Sequence, residues 1–125
     1  MLQEYRDVKQ LPGEVERRWF YCDDLDLIVW QNDSGSICGF HLCYDKKTDE
    51  KAIVWHETSG YSHYKVDSGE DHSKRLKATP ILLSDGIFEA ERITLLFSSE
   101  ANNIDPMLSS FVHAKLVHFK NTYSE

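Results

Sequence analysis

The chain reads as an α+β domain, an antiparallel meander sheet of five to six strands covered on one face by two C-terminal helices. Two observations predict this. Between residues 17 and 83, short runs rich in aromatic and β-branched residues alternate with turn-forming clusters, as antiparallel strands do. From residue 87 onward the apolar spacing changes to three and four, the period of a helix packed along one side. Strands followed by helices make the α+β layer pattern. At 125 residues the chain has enough length for one core and too little for two. The expected organisation is a single domain, 1–125, with an N-terminal arm (1–16), a sheet (17–83) and two helices (87–120).

In the arm, Leu2, Tyr5 and Val8 recur at spacing three. That suits one edge of a short helix, or an irregular arm lying across the sheet, and Pro12-Gly13 ends either. Arg17-Arg18-Trp19-Phe20-Tyr21-Cys22 is the first predicted strand, closed by Asp23-Asp24. The second runs from about Leu25 to Asn32. Asn32-Asp33-Ser34-Gly35 then signals a hairpin, with Gly35 in the left-handed conformation of a bulged type I turn. The third strand spans Ile37 to Tyr44. Pairing Asn32 with Ser36 sets Trp30 opposite Cys38, Ile28 opposite Phe40 and Leu27 opposite His41.

Asp45-Lys46-Lys47-Thr48-Asp49-Glu50 is entirely polar and makes the next hairpin loop. Pairing Asp45 with Glu50 brings Phe40 to Trp55 and Leu42 to Ile53. One face is then expected to hold Ile28, Trp30, Phe40, Leu42, Ile53 and Trp55, under the helices. The other is expected to hold Leu25, Leu27, Val29, His41, Cys43, Val54 and His56. Thr58-Ser59-Gly60 turns the chain into a fifth strand, Tyr61 to Val66, followed by a polar loop from Asp67 to Thr79. Pro80-Ile81-Leu82-Leu83 is a short sixth strand with its proline at the start. A helix is expected from about Ile87 to Ser99, ended by Asn102-Asn103. Asp105-Pro106 opens a second, whose stripe of Met107, Leu108, Phe111, Val112, Leu116 and Phe119 ends near Lys120.

Hydrophobic residues at 41% and charged residues at 28% exclude a disordered or membrane-embedded composition. No apolar run approaches the roughly 18 residues that span a bilayer. The first twenty residues mix charge and apolar side chains without the core of a signal peptide, so a cytoplasmic location is expected. Three cysteines, Cys22, Cys38 and Cys43, are an odd number inside predicted strands, which argues against a disulfide framework. A net charge of −7 repels phosphate backbones, so nucleic acid is a poor partner. The basic run Lys74-Arg75-Leu76-Lys77 follows Glu70-Asp71 and reads as a mixed-charge solvated loop.

The motifs Trp19-Phe20, Asp26-Leu27-Ile28-Val29-Trp30, Gly39-Phe40-His41-Leu42-Cys43-Tyr44-Asp45, Val66-Asp67-Ser68-Gly69-Glu70 and Thr79-Pro80-Ile81-Leu82 span most of the chain. Together they resemble a family of short bacterial proteins of unknown function. The resemblance implies a bacterial, cytoplasmic, single-domain protein and transfers no activity, cofactor or site.

Three groups of residues have side chains suited to chemistry. His63, Asp67, Glu70 and His72, with Asp71 beside them, run from a strand end into a loop. Irregular backbone there can wrap nitrogen and oxygen donors around a divalent ion, with His41 or His56 as further ligands. The plain alternative is an exposed acidic loop. His41, Cys43 and His56 share one predicted sheet face, where a thiol between imidazoles suits an activated nucleophile or a soft-metal site. The alternative is a buried, inert thiol filling a core or interface. Arg17, with Arg18, Trp19 and Tyr21, can offer a cationic and aromatic ligand face. Charged positions guarding an edge strand explain the same residues. No phosphate loop, nucleophile elbow, HExxH or CxxC is present. Asp85-Gly86 offers backbone N–H groups to an anion only as any helix start does.

The functional expectation is a non-catalytic binding or assembly domain forming a homodimer, because both sheet faces read as apolar and two helices cover one. A cavity between the sheet and the N-terminal arm is another way to cover the second face. The alternative function is a small metal-dependent hydrolase or isomerase using the 63–72 segment. No organic cofactor is expected, and a divalent metal ion is the one cofactor left open. The expected partner is a second copy of the chain, with a small-molecule ligand also open and no nucleic acid or membrane.

Overall fold

The computed structural model describes residues 1–5, 16–48, 50–65 and 89–123, with side chains to residue 119. Six antiparallel strands follow one another across a single sheet in chain order: β1 (Gln3–Glu4), β2 (Glu16–Tyr21), β3 (Leu25–Gln31), β4 (Ile37–Tyr44), β5 (Lys51–His56) and β6 (Gly60–Lys65). Two helices, α1 (Ala90–Glu100) and α2 (Pro106–Tyr123), follow. The architecture is the expected α+β meander with C-terminal helices. The predicted strand 80–83, the loop 67–79 and the Asp85-Gly86 turn lie outside the described residues, as do Val8 and Pro12-Gly13. No described helix is long and apolar enough to cross a membrane.

The turns form for local reasons. Asn32 Oδ1 accepts from the backbone N–H groups of Ser34 and Ser36, both at 3.1 Å, and Gly35 donates to the Asn32 carbonyl at 2.9 Å. Gly35 adopts φ +88°, which closes the turn without a Cβ penalty. In the β4–β5 turn Asp45 takes φ +54°, a conformation short polar residues tolerate. Its carboxylate receives Arg92 of α1 bidentately, at 3.2 and 2.9 Å, while Arg92 also meets Glu89 at 2.9 Å. That bridge fixes the start of α1 over the turn. Asp105 caps α2, its Oδ1 accepting from the Met107 N–H at 3.0 Å.

The β4–β5 register is the one expected, with Phe40 opposite Trp55 and Leu42 opposite Ile53. The β3–β4 register differs by one residue. Asn32 does pair with Ser36, its N–H donating to the Ser36 carbonyl at 2.9 Å. Gln31 then sits opposite Ile37 but Trp30 opposite Gly39, so Cys38 is the extra residue of a β-bulge. Beyond the bulge every β3 side chain takes the face opposite to its predicted one. Leu25, Leu27 and Val29 join Tyr44, Leu42 and Phe40, whereas Ile28 and Trp30 join His41 and Gly39.

The first face therefore carries the rows Phe20–Leu27–Leu42–Ile53–His63 and Arg18–Val29–Phe40–Trp55–Tyr61. Its apolar members form one core with Ile93, Phe97, Leu108, Val112 and Leu116 of the helices. Trp55 meets Phe111 edge to face at 5.4 Å, and the Tyr61 hydroxyl donates to the Lys115 carbonyl at 2.8 Å.

The N-terminal arm is not helical where it is described; it supplies β1 and a core residue. Leu2 is fully buried, donates to the Glu100 carbonyl at 2.8 Å and accepts from the Asn103 side chain at 2.8 Å. Arg18 is not an outward edge guard, since it pairs with Glu4 at 2.8 Å and reaches Asp105 at 3.5 Å, joining β1, β2 and α2.

Candidate functional site

The second face carries the rows Trp19–Ile28–His41–Val54–Ser62, Tyr21–Asp26–Cys43–Ala52–Tyr64 and Arg17–Trp30–Gly39–His56–Gly60. None of these side chains belongs to the core that the helices join. Arg17, His41, Cys43 and His56 thus share one face, and His63 stands on the other. The Tyr44 hydroxyl and His63 Nε2 hydrogen-bond at 2.6 Å, and the two rings lie nearly parallel. The sheet itself separates His63 from His41 and His56. Asp67, Glu70 and His72 lie outside the described residues. Among the described residues, no group of three or more histidine, cysteine or acidic side chains is gathered closely enough to hold a metal ion.

At the centre of the second face three rings close around Gly39. Trp30 lies 4.8 Å from His41 and 5.9 Å from His56 between ring centroids, and the two imidazoles lie 5.5 Å apart at 78°. The strand pairing explains this. Trp30 and His56 flank Gly39 on neighbouring strands, and the missing side chain lets both rings lean across β4. A Cβ at position 39 would lie 2.8 Å from His56 Cε1 and 3.1 Å from the Trp55 carbonyl oxygen. Gly39→Ala is therefore expected to displace the His56 ring and cost about 1–3 kcal/mol, the range for overpacking. Chemical denaturation with His56 ring-proton shifts checks it, and an unmoved His56 signal contradicts the packing.

Burial keeps two groups of the face, His41 and Cys43, neutral. Burial, and then the neighbouring His56, lowers the His41 pKa to about 4, so its imidazole is uncharged near neutrality. Burial raises the Cys43 thiol, with Glu50 and Asp26 adding to the shift. A protonated thiol is a poor nucleophile, so Cys43 does not have the character of an activated cysteine. Asp26, opposite Cys43, is held by Lys46 at 3.1 Å. Towards the β1 side, Tyr5 stacks on Tyr21 at 4.2 Å and meets Trp19 edge to face at 5.5 Å. The Trp19 indole N–H is buried without a hydrogen-bond acceptor among the described residues.

Sequence reasoning places His41, Cys43 and His56 together correctly because β4 and β5 pair without a bulge. It misses Trp30, which the bulge at Cys38 turns onto this face. It misses Tyr5 as well, because a two-residue strand carries no periodic signal. Comparison with models of known protein families, with characterised proteins and with solved structures finds no match for this chain. The resemblance drawn from the strand motifs accordingly has no matching family model behind it.

Proposed function

We propose that this chain is a non-catalytic binding or assembly domain that pairs with a second copy through the second face of its sheet. One observation carries the reading. The face centred on Trp19, Ile28, Trp30, His41, Val54 and His56 is apolar and aromatic, yet it lies outside the core that both helices share. Tryptophan and tyrosine on a half-buried surface supply much contact area for little side-chain entropy, which suits an interface centre. A two-fold pairing needs only one self-complementary patch. The neutral His41 and protonated Cys43 support binding over nucleophilic chemistry.

A cytoplasmic, bacterial setting is part of the same proposal, supported by three free thiols and the strand-motif resemblance. The metal-dependent hydrolase reading ranks second. Of its four residues only His63 is described, and its Nε2 is engaged by Tyr44.

Sedimentation velocity of the tag-free chain at tens of micromolar is expected to give a dimer. Trp30→Glu is expected to give a folded monomer. A monomeric wild-type chain under those conditions contradicts the proposal.

A further inference from the structure

We draw no further inference here: the strongest candidate, the open groove between α1 and α2, takes its polar lining from Ser98, Asn102, Ser109, Ser110 and His113, none of them buried, so nothing in it selects the chemistry of a ligand.

Discussion

Phe40→Ala is expected to lower the unfolding free energy by about 3–5 kcal/mol, the range for removing a buried aromatic ring. Phe40 is fully buried, sits opposite Val29 and Trp55, and belongs to the core that joins sheet and helices. Neighbours on a sheet and two helices cannot all collapse into the space left, so the cavity cost adds to the lost transfer energy. Leu95→Ala is the matched control. Leu95 is 65% exposed on α1 and its truncation should change stability by no more than about 0.5 kcal/mol. Urea unfolding of both variants, at unchanged slope, makes the comparison. A loss below about 1 kcal/mol at Phe40 contradicts a core shared by sheet and helices.

The second large effect is acid sensitivity from His41. Its folded-state pKa is depressed, from the ordinary 6.5 to about 4, by burial and then by His56. The unfolded chain therefore takes up a proton at this site at a higher pH than the folded chain does. Above pH 6.5 both states are neutral there and the site is without effect. Between pH 6.5 and 4 the unfolded state binds more protons, so stability falls as pH falls. The whole difference amounts to about 3 kcal/mol once the folded chain is protonated too, since each tenfold change in proton affinity is worth about 1.4 kcal/mol. Comparing wild type with His41→Phe isolates this site, because the other titrating groups are common to both. The stability difference should move by about that amount in favour of the variant between neutral pH and the folded-state pKa. A pH-independent difference contradicts a buried, neutral His41.

How far the fold can be read from the residues depends on which signals are local. Asn32 to Gly35 and the polar run from Asp45 to Glu50 name their own hairpins, and Asp105-Pro106 names a helix start. The β4–β5 register follows from its polar loop because both strands run without interruption. The β3 register does not, for a physical reason. Leu25, Leu27 and Val29 make one apolar set, and Ile28 and Trp30 make another, so hydrophobicity does not choose between the two faces. Counting from the Asn32–Ser36 pair holds through Gln31–Ile37 and fails at the next step, where Cys38 enters unpaired. A bulge changes the parity of everything beyond it and leaves no compositional trace here. Spacing misreads the arm because Leu2 is buried against the end of α1, a contact across the length of the chain.

The same bulge decides what is legible of the candidate site. His41, Cys43 and His56 share a face in either register, since all three lie on β4 and β5. Trp30 moves from under the helices to the histidines, and this turns a pair of rings into a closed cluster over Gly39. His63, two strand residues past Tyr61, falls on the helix-packed side by the alternation of β6.

The Cys38 bulge sets Trp30 beside His41 and His56 on the face away from the helices, and the proposed function depends on that placement. Nuclear Overhauser contacts of the Trp30 indole in the labelled chain test it most directly. The bulged register predicts strong contacts from Trp30 to the His41 and His56 ring protons, at centroid separations of 4.8 and 5.9 Å. Contacts from Trp30 to Leu42, Trp55 or the α2 side chains, with none to the two histidines, would contradict it.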